Sequence, residues 1–265
     1  MKESMQVILE YYFPPLENVL IHINESERAV HNFPRVSVLE MDKISTLPVN
    51  KAPVPDGLTM GIIKEAYYSN KDLCVDIFNE CMELGYFPLA WKEAKIVLIP
   101  KEGKNPQKVS SYRPICLLST WGKLLDKIIT QRLQFELENN AKLSSNQFGF
   151  RRNKSTLSAL DEFMIYIKES KRQNMITLAL AFDISNAFNS VSWHDILKCL
   201  EEDSISMYIV NVIKSFLSNR KIVDQDFGIS YYYDREIPQG SSLGPIMWLL
   251  IAERLLRPLN VIKNV

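Results

Sequence analysis

Leu178-Ala-Leu-Ala-Phe-Asp-Ile-Ser-Asn-Ala-Phe-Asn-Ser-Val191 is the stretch on which the fold turns. It starts as an uncharged apolar run and then sets a single carboxylate, Asp183, at the end of that run. Four to eight apolar residues between polar ones read as a strand buried on both faces, although a short buried helix has the same pattern. A carboxylate in such surroundings is costly unless something pairs with it. A hard cation such as Mg²⁺, which takes oxygen ligands, is one partner. The other reading makes Asp183 the cap of a following helix. Both stay open on this stretch alone.

The surroundings limit the classes of protein. A chain of 265 residues makes one large domain or two small ones, and 46% hydrophobic content implies a packed core. Formal net charge is zero, which argues against a uniformly basic protein but leaves room for local patches. Cys74, Cys81, Cys116 and Cys199 form no CxxC pair and read as reduced thiols. His22, His31 and His194 are scattered and suggest no zinc site. Met1-Lys-Glu-Ser-Met-Gln6 has no signal-peptide core, and no run is long enough to span a bilayer. The expectation is an intracellular protein, in nucleus or cytoplasm, with no membrane partner.

Residues 1–50 are weakly patterned and read as an N-terminal extension, with Val36–Met41 a short strand or helix. Lys51-Ala-Pro-Val-Pro-Asp-Gly57 is a turn. Helices are expected over about 58–68 and 72–84. The second buries Leu73, Ile77, Cys81 and Leu84 and stops at Gly85. Ala94-Lys-Ile-Val-Leu-Ile-Pro100 is a strand, residues 101–108 a hairpin loop, and 122–138 an amphipathic helix carrying Leu125, Ile129, Leu133 and Leu137. From Trp91 to Arg132 there are nine basic residues against three acidic ones. That segment is either an ordinary solvated face or a phosphate-binding one. Gln147-Phe-Gly-Phe-Arg-Arg-Asn-Lys154 sets Arg151, Arg152 and Lys154 beside two aromatic rings, a combination suited to gripping nucleic acid. It leads into a helix capped by Ser155, with Leu157, Leu160, Met164 and Ile167 as its buried face. Helices over 193–200 and 207–217 follow, then a strand at 230–237. Glu201-Glu-Asp203 reads as a solvated helix end. Pro238-Gln-Gly-Ser-Ser-Leu-Gly-Pro245 is a turn that opens a last apolar helix.

Six pieces of this chain stand in one order: Lys51–Gly57, Ile99-Pro-Lys101, Ser111-Tyr-Arg-Pro-Ile-Cys-Leu117, Gln147-Phe-Gly-Phe-Arg151, Phe182-Asp-Ile-Ser-Asn-Ala-Phe-Asn-Ser190 and Ile237-Pro-Gln-Gly-Ser-Ser-Leu-Gly-Pro245. Together they resemble the reverse transcriptase domain of LINE-like, non-long-terminal-repeat retrotransposons, especially insect elements that insert at specific sites. The family's first turn usually has glycine where this chain has Val54.

The resemblance implies an α+β fold: right-hand polymerase fingers over about 51–170 and a partial palm over about 171–265, with a split βαβ sheet and no thumb. It implies attack of a primer 3′-hydroxyl on the α-phosphate of a deoxynucleotide, directed by an RNA template and served by two Mg²⁺ ions. By the same resemblance Asp183 ligates metal as the catalytic carboxylate, and the Ile184 carbonyl assists. Phe188 lies under the sugar and excludes a 2′-hydroxyl. Arg113 and Lys101 grip the triphosphate, and Gln239 and Gly240 border nucleotide and template. The family's adjacent aspartate pair, which belongs after the Pro-Gln-Gly turn and its helix, is not found before Val265. The chain therefore reads as a truncated polymerase domain, inactive alone. The alternatives are a non-catalytic RNA-binding module and a non-functional remnant of such an element.

Overall fold

In the computed structural model of the chain, the residues described are 2–13, 30–42, 48–49, 56–184, 191–224, 228–234 and 237–261. Helix α1 spans Lys2–Tyr12, α2 Val38–Asp42, α3 Met60–Ser69 and α4 Lys71–Glu83. Strands β1 (Glu93–Pro100) and β2 (Tyr112–Leu118) follow, then helices α5 (Thr120–Asn139), α6 (Thr156–Arg172), α7 (Trp193–Glu202) and α8 (Met207–Leu217). Strands β3 (Arg220–Asp224) and β4 (Ile229–Tyr233) precede α9 (Leu243–Val261). The chain is α+β, with one mixed four-stranded sheet among the described residues, in the order β2-β1-β3-β4.

The long helix α5 is the spine. Leu125, Ile129, Leu133 and Leu137 recur every four residues and are fully buried. Sequestering each such side chain stabilises the fold by about 2 kcal/mol. Helices α8 and α9 pack on α5. Strands β1 and β2 form the expected antiparallel hairpin, with Pro100 opposite Tyr112 and Ile96 opposite Cys116. The alternation in β2 turns Pro114, Cys116 and Leu118 inward and leaves Arg113 exposed. A short parallel pairing joins Glu93 and Ala94 of β1 to Lys221 and Ile222 of β3. Gly85 ends α4 at φ +56°, the left-handed conformation that glycine tolerates.

The structure corrects four sequence expectations. Leu178–Ile184 is neither a strand nor buried: Leu178 is 82% exposed and Phe182 89%. An apolar run becomes a strand only where another strand edge pairs with it, and the sheet's described strands all lie elsewhere. Helix α6 starts at its Ser155 cap as expected, with a reciprocal Ser155–Ser158 capping box. Its apolar face is nevertheless uncovered: Leu157, Leu160 and Met164 are exposed, and Ser170 is the buried residue of the helix. Helix α4 turns Leu73, Ile77 and Leu84 outward and buries Val75, Phe78, Asn79 and Met82. Asn79 belongs inside because its side chain accepts from Val36 N at 2.7 Å and donates to Val36 O at 3.1 Å. Finally, Asp203 is not solvated. It is 4% exposed and accepts from Arg257 Nη2 at 2.9 Å, with Arg254 Nη1 at 3.6 Å.

Candidate nucleotide and nucleic-acid site

Strand β2 lies at one edge of the sheet, so the outward N–H groups of its backbone need partners. The turn before α9 supplies one. Cys116 N donates to Gln239 O at 2.8 Å. Gly240 then passes so close that a Cβ there would lie 2.6 Å from the Cys116 carbonyl oxygen, and its φ is +134°. Only glycine meets both demands without strain. Two of the motifs singled out in the sequence are thereby joined: the Gln239–Gly240 turn is bonded three residues along β2 from Arg113. Arg113 is exposed, and its side chain makes no hydrogen bond to another described residue. Lys101 closes the β1–β2 hairpin. Its N donates to Ser111 O at 2.7 Å and its Nζ to Ser110 O at 2.8 Å.

The turn is held from the other side by a residue that the sequence reading missed. Asp126 of α5 is 1% exposed. Its Oδ1 accepts from Ser241 Oγ at 3.1 Å and Leu243 N at 2.9 Å, and its Oδ2 accepts from Ser242 N at 2.6 Å. A carboxylate from one helix thus caps the N-terminus of another, where backbone N–H groups lack intrahelical partners. Burial pushes the Asp126 carboxyl up to about 6, against the opposing pull of those hydrogen bonds and of the Arg220 guanidinium. One signal was legible: Asp126 falls four residues after Gly122 and three before Ile129, on the buried row of α5.

The 147–154 loop is built differently from its sequence expectation. Arg151 forks onto Glu138, Nη2 to Oε2 at 2.5 Å and Nε to Oε1 at 3.1 Å, and its Nη1 donates to Ser144 O at 2.7 Å. That guanidinium is engaged within the protein and holds the Glu138 carboxyl below the usual carboxylate range. Lys154 lies over the Phe148 ring, 4.2 Å from its centre, and donates to Ser145 O at 2.9 Å. Arg152 is exposed and makes no hydrogen bond to another described residue. The basic run before it is partly internal too. Lys92 is 2% exposed and donates to Ser218 O at 3.1 Å, while Arg132 is paired with Glu40 at 3.1 Å. Arg151→Ala is therefore expected to lower the unfolding free energy by about 2 kcal/mol. Arg152→Ala is expected to change it by less than about 0.5 kcal/mol and to reduce the salt slope of RNA binding by about 1. Urea melts and titrations at several salt concentrations measure the two; equal stability losses would contradict this division.

Asp183 and Ile184 lie at the end of the exposed run 175–184. Asp183 makes no hydrogen bond or ion pair with Arg113, Gln239 or any other described residue. Among the described residues no three His, Cys, Asp or Glu side chains cluster as metal ligands. Phe188, and all of the Lys51–Gly57 turn but its last two residues, lie outside the described residues. A cleft of about 520 Å³ between Asn140–Ser144, Glu202, Asp203, Glu253 and Arg257 contains none of the residues expected to bind metal, nucleotide or nucleic acid. All four cysteines are buried thiols, and no described helix is long and apolar enough to cross a membrane.

A family model described as reverse transcriptase (RNA-dependent DNA polymerase) matches residues 99–265. The chain belongs to the reverse transcriptase family. Its relatives place it among retrotransposon domains in particular. It is similar to the RNA-directed DNA polymerase from mobile element jockey of Drosophila melanogaster, 33% identical over 212 residues, which cover 79% of this chain and 23% of that protein. It is also similar to the Pol polyprotein from type-1 retrotransposable element R1 of Bradysia coprophila, 28% identical over 260 residues, covering 96% and 25% respectively. The chain spans about a quarter of the length of these curated relatives.

Proposed function

We propose that this reverse transcriptase domain binds a deoxynucleoside triphosphate and an RNA template paired to a DNA primer, with fingers over about 51–170 and a partial palm over about 171–265. The observation that carries this reading is the joint between β2 and the turn before α9. It fixes the turn on the strand that carries the exposed Arg113, three residues from Cys116, and the Arg113 side chain has no hydrogen-bond partner among the described residues. A guanidinium fork matches phosphate oxygens. Gln239 and Gly240 border the nucleotide, Lys101 keeps the hairpin closed, and Arg152 and Lys154 lie along the template backbone.

Reverse transcriptases use divalent metal ions, and Mg²⁺ would supply charge stabilisation at the transferred phosphoryl group. The described residues do not fit that metal pair. Two hard cations need several shared oxygen ligands, and among the described residues Asp183 belongs to no cluster of three such side chains. Arg113 and the turn can bind and orient a triphosphate without it.

The test is a photo-crosslinking titration with azido-deoxyuridine triphosphate, followed by a primer-extension assay on RNA with Mg²⁺. Crosslinks to residues flanking Gln239, weakened about tenfold by Arg113→Ala, are expected. No extension is expected from this chain. Extension abolished by Asp183→Ala would show that the metal ligands are complete after all. Crosslinking indifferent to Arg113 would reject the nucleotide site.

A further inference from the structure

We propose that Asp126 is a positioning residue: it fixes the Gln239–Gly240 turn against β2 and so sets the distance from that turn to Arg113. This rests on the nucleotide-binding reading above. The turn is clamped at two points. One is the Cys116–Gln239 bond with the close approach of Gly240 to the Cys116 carbonyl. The other is the carboxylate of Asp126 on Ser241, Ser242 and Leu243, the residues that follow immediately. The clamps lie on consecutive elements, β2 and α5, joined at Ser119. Arg113, Cys116 and Asp126 therefore form one frame, and the turn moves relative to Arg113 only if a clamp opens.

The ionised carboxylate offers acceptors to all three donors. Its protonated form keeps one good acceptor oxygen and gains a donor facing other donors. The charged group facing Asp126 from another element is Arg220, at the start of β3. Lys127 and Lys123 lie on α5 itself. Lowering the pH through about 6 should thus loosen the turn by protonating Asp126.

The test compares the full chain with Asp126→Asn by amide NMR, denaturant melts and crosslinking to azido-deoxyuridine triphosphate. Asp126→Asn is expected to fold, to shift the Gln239 and Gly240 amide peaks, and to weaken crosslinking about tenfold. In the parent chain the same peaks should titrate near pH 6; in the variant they should not. Ser241→Ala removes one bond and leaves the carboxylate in place, so it carries the test if Asp126→Asn fails to fold. A folded variant with unmoved Gln239 and Gly240 peaks overturns the proposal. Moved peaks in a parent chain that never crosslinks would leave Asp126 as the clamp and reject the nucleotide reading instead.

Discussion

Gly240→Ala is expected to lower the unfolding free energy by about 4 kcal/mol and to abolish triphosphate crosslinking. A backbone at φ +134° holding a side chain costs about 1–3 kcal/mol in strain. The new methyl would also sit 2.6 Å from a carbonyl oxygen of β2, and strand backbone cannot rotate aside as a side chain could. The turn must retreat, which breaks the Cys116–Gln239 hydrogen bond at a further cost of about 1 kcal/mol. Gly103 is the control. It has φ +69° with nothing near a Cβ, so Gly103→Ala should cost only about 1 kcal/mol. Urea denaturation of both variants measures the contrast. Equal losses would mean that conformational strain, not the approach to Cys116, sets the role of Gly240.

The second large effect is one of pH. The Asp126 carboxyl is raised from 3.8 to about 6 in the folded chain. Between those values the folded state holds a proton that the unfolded state has released. Stability from this group therefore falls as pH rises from about 4 to about 6, and is flat outside that window. The full difference is about 3 kcal/mol at 1.36 kcal/mol per unit. Glu138 and Asp42 are lowered, and their contribution runs the opposite way, rising with pH. The readout is thus the stability of the parent chain minus that of Asp126→Asn. That difference should shrink by up to about 3 kcal/mol between pH 4 and pH 7. A difference independent of pH would show that water reaches the carboxylate. Acid should therefore strengthen the global fold through Asp126 while loosening its local grip on the turn.

How much of this was legible in the residues can be argued element by element. The β1–β2 hairpin, α5 and the α6 cap could be read because local rules govern them: alternation, a four-residue apolar step, and a serine whose hydroxyl meets the N–H three residues on. The burial face of α4 was missed because Asn79 looks solvent-facing until its bonds to Val36 are seen. Strand β3 was missed because it opens Arg220-Lys221, yet Arg220 is fully buried over the Phe216 ring with Nε bonded to Tyr233 Oη at 3.0 Å. Of the candidate site, the type and order of Arg113, Gln239 and Gly240 could be read. The clamp by Asp126 could not, since its partners lie more than a hundred residues away. Arg151 was singled out for its charge, but charge alone does not reveal that Glu138 already neutralises it.

The outward-facing run after α6 bears on how the protein behaves when concentrated. Ile176-Thr-Leu-Ala-Leu-Ala-Phe182 contains no charge, proline or glycine, and Ile176 is 99% exposed. A window of that composition stacks readily into cross-β fibrils. Stored solutions should develop thioflavin fluorescence after a lag, sooner in ammonium sulfate than in dilute buffer, because excluded salts strengthen apolar association. A lysine at Leu180 should lengthen that lag without altering the urea midpoint, since the leucine is already in solvent.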